Sequence, residues 1–423
     1  MTGATRRIAP LDAPPDAVVR PPGSKSLTNR ALVLAALADG PSALHGALRA
    51  DDTDAMVGAL RALGAAIEVD GTEMRVAPRA LPVEPGTRID TRLSGTTSRF
   101  VLPLAALAGV LVVVDGGEPL RRRPMGPVLD ALASLGAVVE PLGEPGHLPI
   151  RIAGGKLSGG TVAVDATASS QFLSALLLVG PRLADGLTVE AGTDIAARPF
   201  VDLTLGAMAD FGATVSEASP GRFVVAPGGL RGRSFDVEPD ATAATYLAAA
   251  AAITGGRVRI EGLGSRSRQG DMAFFAVLER MGATVERFAD ATVVTGGPLH
   301  GIDIDLNDHP DTVQTLAAVA VCASSPTRVR GVALIRGHET DRIAAVVSEL
   351  QRLGIEAAET DDGFTIVPGP VRPGTVQTYD DHRMAMSFAL LGLVTPGIVI
   401  ADPGVVAKTY PRYFADLASL GMP

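Results

Sequence analysis

The chain has no tryptophan, a single cysteine and few aromatic side chains of any kind, 4% of its 423 residues. One thiol, Cys322, rules out an intrachain disulfide. The six histidines show no Cys/His ligand spacing, so no zinc site is expected. Cys322 lies inside the apolar run LAAVAVCASS, which reads as a buried small side chain rather than a nucleophile. An excess of positive charge is also missing, the formal net charge being -9. Without a basic face or stacking aromatics, a nucleic-acid partner is not expected. Long apolar runs are lacking too. Residues 101–114 come nearest to the roughly 18–20 residues of a membrane span, and Pro103 and Gly109 interrupt them. The N-terminal MTGATRRIAP carries two arginines with no apolar core behind them. No secretion signal is expected, and the cytoplasm is the default.

What the chain has in quantity is small residues, including 48 glycines, within an apolar fraction of 47%. That mix suits helices packed closely on sheets, and at this length two cores are expected rather than one. A repeat runs through the whole sequence. An amphipathic helix ends in an apolar residue plus Gly and is usually followed by a strand, in ALRALGAAIEV, ALASLGAVVEP, AMADFGATVSE, VLERMGATVER, ELQRLGIEAAE and DLASLGMP. The glycines are Gly64, Gly136, Gly212, Gly282, Gly354 and Gly421, a spacing of roughly 70 residues that marks a repeated supersecondary unit. Each stands where a helix end calls for a left-handed backbone. Alternating helices and strands in such units predict an α/β protein. Pro21-Pro22-Gly23 and Val237-Glu238-Pro239-Asp240 are the natural junctions, dividing six units into three and three.

Cations are scattered through this acidic chain in short loop-to-helix motifs: Gly23-Ser24-Lys25-Ser26 with Asn29-Arg30, Ser94-Gly95-Thr96 with Arg99, and Arg121-Arg122-Arg123-Pro124. Further along come Ser169-Ser170-Gln171, Asp311 after a turn-rich stretch, His338-Glu339-Thr340-Asp341-Arg342, Asp381-His382-Arg383 and Lys408-Thr409. Cations at several helix starts suit a small ligand bearing several negative charges. Ser26 and Arg30, four apart, share one helix face, and Glu339 and Arg342, three apart, share another. Gly95 would let a ligand approach the backbone. Taken singly, each motif also reads as a capped helix start with solvated cations. A nucleotide loop is a poor reading, because Lys25 does not follow a Gly. A hydrolase triad at Asp381-His382 lacks a serine elbow.

In order, PGSKSLTNRALVLAAL, SSQFLSALLL, GHETDR, YDDHRMAM and AKTYPRYF resemble the enolpyruvyl transferases, from about residue 19 to 414. The resemblance implies two similar domains, each of three βαβαββ units, with the active site in the interdomain cleft. One domain would be residues 24–236 and the other residues 1–23 plus 237–423. It also implies enolpyruvyl transfer from phosphoenolpyruvate to 3-phosphoshikimate, two small-molecule substrates, by a cofactor-free cytoplasmic monomer. Lys25, Ser26, Arg30, Ser169, Ser170, Gln171, Asp311 and His338 would bind 3-phosphoshikimate. Lys25, Gly95, Arg123, Gln171, Arg342, Arg383 and Lys408 would bind phosphoenolpyruvate. Asp311, Glu339 and Lys25 would carry the chemistry, Asp311 as base and Glu339 in proton transfer at carbon. The chain departs from the family pattern at Leu93 and Leu334, where Asn is usual, at His338, where Lys is common, and at Ala197 and Phe200, where Ser and Tyr are common. The same resemblance admits an alternative acceptor, UDP-N-acetylglucosamine, though those relatives present a reactive loop cysteine.

Overall fold

The computed structural model describes residues 4–78, 83–154 and 157–421. Among them, strands form five four-stranded sheets and one three-stranded sheet. The five four-stranded sheets share one pairing order, and the three-stranded sheet repeats its first three strands. In the first, Ser234–Asp236 runs parallel to Ser42–His45, which is antiparallel to Glu73–Ala77, itself antiparallel to Ala66–Asp70. Two closures involve the chain's beginning. Asp16–Val19 is the parallel partner of Arg257–Glu261, and Thr5–Arg7 is the antiparallel edge beside Ile398–Ala401. The chain accordingly divides into two compact units, Gly23–Val237 and Met1–Pro22 with Glu238–Pro423.

Each unit has its own apolar core and two kinds of helix. The amphipathic helices of the repeat lie outside: Asp51–Ala62, Gly126–Ser134, Pro199–Asp210, Ala273–Met281, Arg342–Arg352 and Tyr413–Ala418. Gly64, Gly136, Gly212, Gly282, Gly354 and Gly421 follow them, with φ of 90°, 97°, 89°, 111°, 83° and 106°. All six therefore occupy the left-handed region that the repeat predicts, where a Cβ would clash. The other long helices are buried along most of their length and form the interiors: Lys25–Leu37, Gly95–Ala106 and Ser170–Val179 in one unit, and Ala241–Thr254, Val313–Val321 and His382–Gly392 in the other. Leu27 through Ala35 are buried without a break, the mark of a helix surrounded by protein. In Ala241–Thr254, eight alanines let neighbouring elements approach closely. Residues 101–114 split into a helix end and the strand Leu111–Asp115. Among the described residues no helix is long and apolar enough to cross a membrane.

Candidate active site

The interior helices matter because the motifs of the sequence lie at their N-termini. Four unpaired backbone N–H groups and the positive end of the helix dipole meet there. In the unit Gly23–Val237 the caps are uncharged: Ser24 accepts from Leu27 N, Ser94 from Thr97 N, and Ser169 from Gln171 N. A serine cap satisfies a donor without cancelling the field, so these ends keep their pull on anions. The ammonium of Lys25 lies 3.5 Å from Asp52, which is buried. Arg30 points inward. Its Nε donates to Thr204 Oγ1 at 2.8 Å, Nη2 to the Phe200 carbonyl at 2.9 Å, and Nη1 to the Ser26 carbonyl at 3.0 Å. The shared face of Ser26 and Arg30 is thus real, with a guanidinium held mainly by protein; burial pushes its pKa down to about 9.

Gly95 lies against Arg123. A Cβ placed on Gly95 would stand 2.7 Å from Arg123 Nη1 and 2.9 Å from Cζ. Sequence alone suggests that Gly95 leaves room for a ligand, whereas the structure gives that room to a guanidinium. Ser169 and Gln171 are joined through Arg99, which donates from Nη1 to Ser169 Oγ at 3.2 Å and to Gln171 Oε1 at 2.9 Å. Its Nη2 reaches the Pro124 carbonyl at 3.3 Å, next to Arg123, and its guanidinium lies 4.7 Å from the Phe172 ring centroid. Ser170 donates to the Ala197 carbonyl at 3.5 Å. Arg99 thereby ties two helix starts to the Arg123 turn. The sequence offered one signal for this, its position four residues after Gly95 on the same helix.

In the other unit the caps are carboxylates, Asp240 and Asp381. Here cations and acids interlock around Arg342, 1% exposed. Its Nε donates to Asp381 Oδ2 at 2.7 Å, Nη2 to Glu339 Oε2 at 2.8 Å, and Nη1 to Asp311 Oδ1 at 3.2 Å. Burial alone would loosen its proton, but Asp381 and Glu339 more than reverse that and hold its pKa above the usual arginine value. Asp311 is a bridge, since its second oxygen lies 2.7 Å from Arg383 Nη2. Arg383 also donates to the Tyr246 hydroxyl at 3.2 Å, and burial pushes that phenol up to about 12. Glu339 lies between Arg342 and Lys408, whose ammonium is 3.5 Å away. His338 Nδ1 is 3.0 Å from Arg342 Nη1. Guanidinium can only donate, so Nδ1 is the acceptor and the neutral ring carries its proton on Nε2. His382 is buried beside Asp381, with Nδ1 3.6 Å from Oδ1.

Non-glycine residues with left-handed backbones accompany these groups: Arg92, Ala197, Tyr379, Asp380 and Asp402, with φ from 44° to 57°. Such strain persists only where surrounding contacts fix it. At Tyr379–Asp380, just before Asp381, the fixing group is the buried Glu349. It accepts from the Tyr379 hydroxyl at 2.6 Å and from Gln377 N at 3.0 Å. Asp311, Glu339, Arg342, Arg383, Lys408 and His338 thus form one connected cluster. Lys25, Ser26, Arg30, Gly95, Arg123, Ser169, Ser170 and Gln171 gather at the starts of three neighbouring helices and the Arg123 turn.

The chain matches, over residues 12–417, the family model described as EPSP synthase (3-phosphoshikimate 1-carboxyvinyltransferase). The 3-phosphoshikimate 1-carboxyvinyltransferase of Nostoc punctiforme is 44% identical over 416 residues, 97% of this chain and 97% of its own. That of Mycobacterium ulcerans is 44% identical over 410 residues, 95% of this chain and 94% of its own. Among solved structures, the EPSP synthase of Acinetobacter baumannii aligns with a TM-score of 0.83 at 28% identity, covering 99% of this chain and 98% of that one. The enolpyruvyl transferase NikO of Streptomyces tendae aligns with a TM-score of 0.78, covering 100% of this chain and 98% of that one. At 21% identity NikO bears on the fold alone. With both, the chain shares the enolpyruvyl transferase fold.

Proposed function

The chain belongs to the EPSP synthase (3-phosphoshikimate 1-carboxyvinyltransferase) family, and we propose that it moves the enolpyruvyl group of phosphoenolpyruvate onto the 5-hydroxyl of 3-phosphoshikimate. It is a transferase of the shikimate route to aromatic amino acids. The observation that carries the mechanism is Asp311 held between Arg342 and Arg383, with Glu339 between Arg342 and Lys408. Two carboxylates that remain partly accessible thus stand among cations suited to an anionic donor.

In the proposed assignment Arg342, Arg383, Lys408, Lys25, Gly95, Arg123 and Gln171 take phosphoenolpyruvate. Ser169, Ser170, Gln171, Lys25 and His338 take 3-phosphoshikimate. Ser26 holds its carboxylate together with the N–H groups that Arg30's protein bonds leave over. A proton adds to the methylene carbon of phosphoenolpyruvate, and the 5-hydroxyl oxygen bonds to the adjacent carbon while Asp311 accepts the hydroxyl proton. The C–O bond to phosphate then breaks, the new methyl group gives up a proton, and the double bond returns. Glu339 serves the carbon proton. Lys25 stabilises charge on the leaving phosphate. A cytoplasmic location and a monomeric state belong to this proposal as well.

The relatives that take the UDP-sugar normally present a reactive loop thiol. Cys322 caps the buried helix Val313–Val321, and burial pushes its pKa up to about 11, leaving a protonated, unreactive sulfur at neutral pH. Phosphate release from phosphoenolpyruvate, measured with 3-phosphoshikimate, with UDP-N-acetylglucosamine and with neither, tests the reading. Release with 3-phosphoshikimate alone is expected; release that follows the UDP-sugar overturns it.

A further inference from the structure

One buried acid has no place in that mechanism. Asp271 is 4% exposed, in the short 3-10 turn Gly270–Met272 packed against Ala241–Thr254. One of its oxygens meets the Thr242 hydroxyl in a short hydrogen bond. The other, Oδ1, has no hydrogen-bond partner among the described residues and lies 3.9 Å from His309 Nδ1, itself without one. A buried carboxylate with one bare oxygen and no cation in bonding distance is costly, whereas a carboxylic acid in the same place is not. Two acids, Asp311 and the cap Asp240, and one cation, Arg383, act on it electrostatically. Thr242 and Tyr246, one turn apart on the helix Ala241–Thr254, bond Asp271 and Arg383 respectively. Burial, reinforced by Asp311, pushes the Asp271 carboxyl up to about 7, against the pull of Thr242 and Arg383. Burial also lowers the pKa of His309, opposed by Asp308, so the pair is an acid beside a neutral imidazole rather than an ion pair.

We propose that Asp271 is a positioning residue for the transfer: as a neutral acid it leaves Arg383 committed to Asp311 and the incoming donor anion, and as a carboxylate it draws Arg383 away. The enzyme then loses its grip on phosphoenolpyruvate as Asp271 ionises. The inference rests on the reading of Arg383 as a donor ligand given above.

The test is kcat/KM for phosphoenolpyruvate at saturating 3-phosphoshikimate, from about pH 5.5 to 9, for the wild type, Asp271→Asn and Thr242→Val. Asparagine copies the shape of the neutral acid and cannot ionise. The wild-type value should fall up to tenfold per pH unit above an ionisation near neutrality. In Asp271→Asn that limb should vanish, leaving only the slope due to the substrate's own ionisation, and the low-pH value should stay within about threefold of wild type. Thr242→Val removes a hydrogen bond that favours the carboxylate, so the limb should move to higher pH. An unchanged limb in Asp271→Asn overturns the proposal, as does a tenfold or greater loss at every pH with the melting temperature kept. If Asp271→Asn does not fold, an unmoved limb in Thr242→Val overturns it alone.

Melting temperature gives an independent reading. The folded chain holds the Asp271 proton more tightly than the unfolded chain does. Its stabilisation is therefore complete below about pH 4, fades as pH rises, and is gone above about pH 7. The wild-type melting temperature should fall relative to Asp271→Asn across that window, and a constant difference contradicts the proposal. Arg383→Lys separates the underlying reading: an unchanged KM for phosphoenolpyruvate there removes Arg383 as donor ligand, whatever Asp271→Asn does.

Discussion

Gly95→Ala isolates a single atom. The added methyl would lie 2.7 Å from Arg123 Nη1 and 3.1 Å from Nη2. Non-bonded heavy atoms rest near about 3.5 Å, so the guanidinium must retreat by roughly 0.8 Å or swing aside. Because it is the far end of a flexible side chain, the movement is cheap for the fold. Gly95 opens the helix Gly95–Ala106 with no left-handed backbone, so alanine suits its conformation, and intrinsic propensity favours alanine by up to about 1 kcal/mol. The cost falls on whatever Arg123 holds. A hydrogen bond to a charged group contributes about 1.5–3 kcal/mol. Its loss corresponds to a rise in KM for phosphoenolpyruvate of roughly 10- to 150-fold. KM for 3-phosphoshikimate should move by less than about threefold and the melting temperature should hold or rise. Steady-state kinetics with each substrate varied, alongside a thermal melt, reads all three. Equal rises in both KM values, or a lowered melting temperature, would refute the reasoning and make Gly95 a backbone requirement.

Asp311→Asn and Glu339→Gln should each cut kcat by about 10²–10⁴-fold, the usual share of general acid–base catalysis; near-native turnover in either removes that residue from the mechanism. Arg342→Met leaves Asp381, which is 0% exposed, without its guanidinium. Breaking such a buried pair costs about 3–5 kcal/mol, readable by chemical denaturation, and a loss below 1 kcal/mol would show the pair to be dispensable. His338 should show an unprotonated Nδ1 and a protonated Nε2 in nitrogen NMR of the ligand-free protein near pH 7.5; the opposite tautomer contradicts its bond to Arg342. Glu349→Ala removes the acceptor for Tyr379 and Gln377 N, so the strained turn before Asp381 should relax, lowering the melting temperature and raising KM for phosphoenolpyruvate more than for 3-phosphoshikimate.

Local rules made much of this molecule legible. A helix end that needs a left-handed residue leaves a glycine, and six such glycines mark the repeat in the sequence. Helix starts carry caps and cations within a few residues, so Lys25, Gly95, Ser169 and Arg383 stood out as motifs. What stayed hidden depends on partners distant in sequence. Arg30 reads as a surface cation until Thr204, 174 residues away, accepts a hydrogen bond from its Nε. Arg342 becomes a hub through Asp381, 39 residues on. Arg99 was one more cation until Ser169 and Gln171 came within reach. Asp271 sits in the unremarkable run RQGDMAF, and only its burial beside another acid sets it apart. His338 shows the same limit, because its place in the sequence could not say that its Nδ1 accepts from Arg342.

Transfer by addition and elimination passes through a methyl group whose hydrogens include one taken from solvent. Running the reaction of phosphoenolpyruvate with 3-phosphoshikimate in deuterium oxide, and weighing the organic product by mass spectrometry, therefore tests the central claim most directly. The account predicts a product heavier than 3-phosphoshikimate by one enolpyruvyl group, with deuterium in its methylene and one phosphate released per product formed. Phosphate released without that product, or an enolpyruvyl product whose methylene never acquires deuterium, would contradict it.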